Sequence, residues 1–250
     1  MSSPLPKSHP RYESLQLRNQ LADAMRKGLV HETGLIAHGR GEAFDYLLGE
    51  QTNPIACDAE KRAAAALLLA ENPVISLNGN VVALVAEECV SLAFSIPAVL
   101  EVNLFHRTPE RIQRLISEME KHGGGNILGA NAEARIPGLD HDRSLCEQDG
   151  IFSSDVVLVP LEDGDRCEAL KSMGKTVITI DLNPLSRTAR TADITIVDNV
   201  IRAIPAIEQW VHTLKKDRAQ VLSDLLELWD NTSNLKKILT FISKRLNHMD

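Results

Sequence analysis

The residues best suited to chemistry in this chain gather just beyond short apolar runs rich in Val and Ile. Glu162-Asp163-Gly164-Asp165 follows DVVLVP, Asp181-Leu182-Asn183 follows KTVITI, and Asp198-Asn199-Val200 follows DITIV. Short continuous apolar runs between helical segments read as strands of a parallel sheet covered on both faces. Ligands of such sheets bind beyond the carboxyl ends of the strands. Amide and carboxylate groups at Asp181, Asn183 and Asn199 suit an adenine or the hydroxyls of a ribose. Arg187, followed by Thr188, suits phosphates, and Pro184 stiffens the loop before it. Three polar clusters on one sheet edge are more than a set of turns requires. Glu162, Asp163 and Asp165 could hold Mg²⁺ through one or two carboxylates, with nucleotide phosphates completing the shell. They are equally favourable charges ahead of a helix start.

Three further clusters carry a functional and a plain reading side by side. HGRGEAFDYLLGE (38–50) sets His38, Arg40, Glu42 and Asp45 around two glycines. Either the glycines let the backbone approach an anion and Arg40 supplies a fork of donors, or this is a Gly-rich loop before a capped helix. His106-Arg107 stands between a strand and a helix start, an address for a phosphate or carboxylate or simply a surface loop. Asn78-Gly79-Asn80 either presents amides to a phosphate or forms a tight turn with an N-cap. G-x-G-x-x-G, a P-loop, G-x-S-x-G and a zinc-type His pair at i, i+4 are all missing from the sequence.

The elements that must position these groups alternate from Pro73 onward. Strands are expected at 74–77, 98–103, 126–129, 155–160, 175–181 and 193–198. Helices are expected from Asn80 to about Ser95, from Thr108-Pro109 to Gly123, within 161–174, and from Asn199 to about Lys216. PLSRTARTA (184–192) reads as a polar loop, and 130–150 as a long irregular connection of the kind that is often functional. The result is a Rossmann-like, doubly wound α/β fold with a mainly parallel six-stranded sheet in the order 3-2-1-4-5-6. Its crevice is expected between the strands ending at Leu77 and Val159. An amino-terminal helical section (1–72), with helices over 11–28, 42–49 and 55–71 and Pro10 in the first turn, precedes the sheet domain (73–217). Carboxyl-terminal helices (218–250) follow, and Leu235, Ile238, Leu239, Ile242 and Leu246 make one apolar stripe that must be covered.

With 250 residues and 44% hydrophobic content the chain can bury a substantial core, built from aliphatic side chains because aromatics are only 4%. A net charge of −7 argues against general binding of nucleic acid or anionic membranes. No apolar run approaches the roughly 20 residues of a membrane span. Cys57, Cys89, Cys146 and Cys167 form no C-x-x-C pair and read as reduced thiols of a cytoplasmic protein.

Taken in order, PKSHPRYESL, GLIAHGRGEAFDYLLGE, PVISLNGNVVAL, EVNLFHRT, RIPGL, DVVLVPLEDGDR, IDLNPLSRTA and ITIVDN closely resemble the archaeal phosphopantothenate synthetase (4-phosphopantoate–β-alanine ligase) family. The resemblance runs from about Pro6 to Pro205. It implies a homodimeric ligase of coenzyme A biosynthesis that condenses 4-phosphopantoate with β-alanine. ATP is the co-substrate, Mg²⁺ assists, an acyl-adenylate is the intermediate, and AMP and pyrophosphate are released. Carried over by position, it implies ATP contacts at Arg18, Arg40, Asp181, Leu182, Asn183, Arg187, Thr188, Asn199 and Val200. The acid substrate is assigned to His38, His106 and Arg107. Two alternatives are an acyl-adenylate ligase for a related phosphorylated hydroxy acid and a nucleotide-sensing binding protein on the same fold.

Overall fold

The computed structural model describes residues 6–9, 11–161 and 163–247, so the roles expected of Pro10 and Glu162 lie outside the described residues. Three helices come first: α1 (Tyr12–Arg26), α2 (Glu32–Leu48) and α3 (Pro54–Leu69). α3 starts where its sequence says it should. Pro54 takes the first helical position, and the Asn53 side chain accepts from the backbone N–H of Ile55 and Ala56, each at 3.0 Å.

Then β1 (Pro73–Leu77), α4 (Gly79–Ser95), β2 (Val99–Val102), α5 (Pro109–Lys121) and β3 (Ile127–Leu128) build one half of the sheet. After an excursion through β4 (Ala134–Arg135) and β5 (Leu145–Cys146), the other half follows. It consists of β6 (Val156–Pro160), α6 (Gly164–Ser172), β7 (Thr176–Ile180), α7 (Arg187–Thr191) and β8 (Ile194–Ile196). α8 (Val200–Leu214), α9 (Ala219–Glu227) and α10 (Asn231–Leu246) complete the chain. The six long-range strands lie in the order β3-β2-β1-β6-β7-β8, every neighbouring pair parallel. That is the expected order, and β1 and β6 flank the point where the winding reverses.

Alternation along the strands fills both faces. Ile75, Leu77, Leu158 and Ile178 join a core with α1, α3, α4 and α8, which includes Leu21, Ala63, Val81 and Ile204. Val74, Val157, Val159 and Val177 point the other way, onto Leu170 of α6 and onto Ile136 and Ile151 of the 130–152 segment. The apolar stripe of α10 closes a third cluster. Leu235, Ile238 and Ile242 are buried against Leu48, Leu182, Ala189 and Val197, whereas Leu246 is half exposed. Among the described residues no helix is long and apolar enough to cross a membrane, and all four cysteines are unpaired.

Three expectations need correction. First, Gly39 and Gly41 do not form a loop before a helix at 42; α2 runs without a break from Glu32 to Leu48. It is capped upstream by the His31 side chain, which accepts from Thr33 N–H, and it stops at Gly49 with φ 92°. Two of its glycines, Gly34 and Gly41, face neighbours instead, while a Cβ on Gly39 would meet nothing within 4 Å. A Cβ on Gly34 would lie 2.4 Å from Asn80 Oδ1, and one on Gly41 would touch Leu182 at 3.4 Å.

Second, the 130–150 connection is ordered. β4 and β5 pair antiparallel, and a 3₁₀ turn (Asp142–Ser144) and a π turn (Gln148–Phe152) adjoin them. Buried Glu101 of β2 fastens this segment by accepting from Glu147 N–H (2.9 Å) and Ile151 N–H (2.6 Å). Third, the polar loop 184–192 contains α7, nucleated by Ser186 accepting from Ala189 N–H at 2.9 Å.

Candidate active site

A cleft of about 700 Å³ lies across the carboxyl ends of the strands. Its floor is laid by the residues that leave each strand in turn. Asn78–Asn80 follow β1, Leu104–His106 follow β2, Leu161, Asp163 and Gly164 follow β6, Asp181–Asn183 follow β7, and Asn199-Val200 follow β8. The roof is one face of α2, with Gly34, His38, Arg40 and Gly41 lining it. α2 lies across the sheet because it is fastened at both ends. Asn80 donates to Gly34 O at 2.9 Å, and Asn199 donates to Asp45 Oδ2 at 2.9 Å.

At the β7–β8 end the groups are pre-set by local turns. Asp181 accepts from Asn183 N–H at 2.9 Å and from the Ser186 hydroxyl, and Asn183 Oδ1 accepts from Leu185 N–H at 3.0 Å. Burial pushes the Asp181 carboxyl upward, opposed by those donors and by the charge of Arg40 across the cleft. Arg40 itself is exposed and hydrogen-bonds to none of the described residues, so its fork is available to an anion. Arg187 reaches the cleft but is held by Glu168, Nε to Oε1 at 3.0 Å. Asn199 caps α8, and Thr188 is buried in the wall.

Behind Asn199 lies a buried ionic network. Arg202 joins Asp198 (Nε to Oδ1, 2.9 Å) to Asp45 (Nη2 to Oδ1, 2.5 Å), and Thr52 donates to Asp198 at 2.5 Å. Burial works against the Arg202 charge, but the two carboxylates outweigh it and hold its pKa up. Glu60, 1% exposed, faces this network and is pushed up to about 8 by burial and by Asp198.

The β1–β2 end is assembled from distant segments. The rings of His31 and His106 stack at 3.8 Å between centroids. Burial, then the neighbouring His31 and Arg111, lowers the pKa of His106 and keeps it neutral. Arg111 fixes this corner by donating to Leu29 O (3.1 and 3.0 Å) and His106 O (2.8 Å). Arg143, its side chain only 6% exposed, enters from the ordered connection and pairs with Asp163 at 2.8 Å.

The structure thus brings together Arg40, Asp181, Leu182, Asn183, Arg187, Thr188, Asn199, Val200, His38, His106 and Asp163. It leaves three expected residues outside the lining. Arg18 is bound to Glu42 at 2.8 Å, Arg107 turns away to donate to Gly129 O, and Asp165 pairs with His141 at 3.0 Å. Each of these three side chains has a partner where it stands. Among the described residues no group of three or more His, Cys, Asp or Glu could hold a metal ion. Of the described acidic-loop residues only Asp163 lines the cleft, where its Oδ2 accepts from Arg143 at 2.8 Å. Sequence reasoning missed His31, Arg111 and Arg143. Length and irregularity had singled out the 130–150 segment, but no local signal singles out Arg143 within it.

Comparison with known proteins gives one consistent result. The profile of the phosphopantothenate/pantothenate synthetase family matches residues 55–245. A 4-phosphopantoate–β-alanine ligase of Thermococcus onnurineus is 52% identical over 246 residues, 98% of this chain and 94% of that protein. The enzyme of the same name from Methanosarcina mazei is 51% identical, covering 98% and 96%. That from Methanospirillum hungatei is 50% identical, covering 97% and 98%.

Proposed function

The chain belongs to the phosphopantothenate/pantothenate synthetase family, and from that premise and the cleft we propose the reaction it performs. It is an amide-forming ligase that joins 4-phosphopantoate to β-alanine, giving 4′-phosphopantothenate for coenzyme A synthesis. ATP drives the step. A carboxylate is a poor acyl donor, so its oxygen attacks the α-phosphorus of ATP, pyrophosphate leaves, and an acyl-adenylate forms. The β-alanine amine then attacks the acyl carbon and AMP departs. No enzyme nucleophile takes part.

The observation that supports this assignment is one continuous cleft with two unlike ends. The β7–β8 end, with Asp181, Asn183, Thr188 and the α8 amino terminus, takes the nucleoside. Arg40 and Arg187 meet its phosphates. The β1–β2 end, with His31, His106 and Arg143, takes the phosphorylated acid. Holding two reactants in line in this way is worth up to roughly 7–11 kcal/mol of barrier in favourable cases. Magnesium enters as the counter-ion of ATP and belongs to the substrate. The test is release of AMP and pyrophosphate that requires ATP and 4-phosphopantoate together.

The reading includes a homodimer. α10 spends its apolar stripe within its own chain, so the interface is assigned to the sheet domain or the amino-terminal helices, where Ile36 (74% exposed) and Phe94 (69% exposed) stand out. Light scattering should give twice the chain mass; the mass of one chain would refute the dimer.

A further inference from the structure

α2 works as a ruler laid across the sheet. Residues 34, 38, 41 and 45 share one face of the helix, at the spacing i, i+4, i+7, i+11. Gly34 meets Asn80, just past β1; Gly41 meets Leu182, just past β7; Asp45 meets Asn199, just past β8. The dimensions agree. Seven residues of helix from Gly34 to Gly41 span about 10 Å, and two strand steps from β1 to β7 span about 10 Å. His38 lies about 6 Å along the helix from Gly34, which sets it over β6, beside the β1–β6 crevice where the winding reverses. This is the junction of the acid end and the nucleotide end, where an acyl carbon would be bonded to the α-phosphate of a nucleotide.

The side chain at this junction is suited to proton transfer. His38 lines the cleft, and its Nε2 is buried with no hydrogen-bond partner among the described residues. The charges that act on the ring are Arg18 from α1 and Glu42 and Asp45 on its own helix. Burial lowers its pKa, with Glu42 opposing and Arg18 assisting, so the imidazole is neutral near pH 7 and can accept a proton.

We propose that His38 is the general base of the amide-forming half-reaction, an inference that rests on the ligase reading above. β-Alanine enters as an ammonium ion and must lose two protons to become an amide. The first goes to solvent before attack. As the C–N bond forms, the nitrogen becomes acidic and its second proton passes to His38 Nε2. The bond between the acyl carbon and the adenylate oxygen breaks, and AMP leaves with that oxygen. The imidazolium returns its proton to solvent when the products depart. Formation of the adenylate needs no such base, because the attacking carboxylate is already ionised.

The two half-reactions can be measured apart in full-length His38→Asn and His38→Gln, each checked for a parent-like melting temperature. The first is read as exchange of labelled pyrophosphate into ATP with 4-phosphopantoate and no β-alanine. The second is read as amide formation with β-alanine, and in parallel with hydroxylamine, a less basic amine whose attack product sheds its proton to water unaided. We expect exchange and hydroxylamine capture close to the parent in whichever variant is folded, and β-alanine amide formation lower by about a hundredfold. Unchanged amide formation overturns the proposal. So does an equal fall in exchange and in capture, which would make His38 a binding or structural residue. A parent that shows neither exchange nor amide formation overturns the ligase reading itself, a result distinct from failure of the variants alone.

Discussion

The two ends of the cleft were built in different ways. At the β7–β8 end every proposed ligand contact except Arg40, which comes from α2, sits within a few residues of a strand terminus, and its geometry is set by neighbours in sequence. Asn183 folds back on Asp181, Ser186 caps α7, and Asn199 caps α8. At the β1–β2 end the contacts come from four separate places in the chain: His31 before α2, His106 after β2, Arg111 on α5 and Arg143 between β4 and β5. These are held by long-range links, such as Arg111 to Leu29 O, and Glu101 to the backbone of residues 147 and 151. A nucleotide site can be specified by turn chemistry at successive strand ends. A site for a small phosphorylated acid is specified by which segments the fold happens to bring past it.

The largest effect expected along this contrast is at the nucleotide end. Arg40→Lys keeps the charge but loses the planar fork. Losing one donor aimed at developing charge costs on the order of a hundredfold in turnover, so adenylation should fall by that order. Parent-like pyrophosphate release from Arg40→Lys would remove the fork from the account.

At the acid end, Arg143→Gln should raise the KM for 4-phosphopantoate by about ten- to a hundredfold, since a hydrogen bond to a charged group contributes about 1.5–3 kcal/mol. The KM for ATP should barely move. Arg107→Ala, whose guanidinium already serves Gly129, should leave both nearly unchanged. A larger effect at Arg107 than at Arg143 would reverse this assignment.

The smallest effect concerns the network behind Asn199. Glu60 has a folded pKa of about 8 against an ordinary carboxylate value of 4.5. A raised folded pKa means stability that is complete below pH 4.5 and declines as pH climbs toward 8. Glu60→Gln removes that decline. Melting temperatures of parent and variant should nearly coincide at pH 4.5, and the variant should melt higher at pH 8.5. Equal melting temperatures at both values would show that Glu60 is not held neutral.

The fold was legible in the sequence because its signals are local. Val/Ile runs gave the strands, Thr108-Pro109 and Asn78 marked helix starts, and their alternation with right-handed crossovers pointed to a doubly wound sheet. The same locality explains the legibility of Asp181–Asn183 and Asn199. It failed where a local signal had a tertiary meaning. Gly39 and Gly41 look like an anion loop, yet α2 continues through them so that Gly34 and Gly41 can seat the helix on Asn80 and Leu182. Arg18 and Arg107 look like free cations, yet Glu42 and the Gly129 carbonyl occupy them. The place of Arg143 depends on a buried carboxylate in another strand pinning its segment. Nothing near residue 143 encodes that.

The central claim is that one cleft activates the acid as an adenylate at the junction of its two ends. The most direct measurement starts from 4-phosphopantoate labelled with oxygen-18 in the carboxylate, incubated with ATP, β-alanine and the full-length protein. If the carboxylate attacks the α-phosphorus, one labelled oxygen stays with the nucleotide, and mass spectrometry will find AMP heavier by one oxygen-18 atom per amide formed. Unlabelled AMP, or ADP together with labelled inorganic phosphate, would contradict the account.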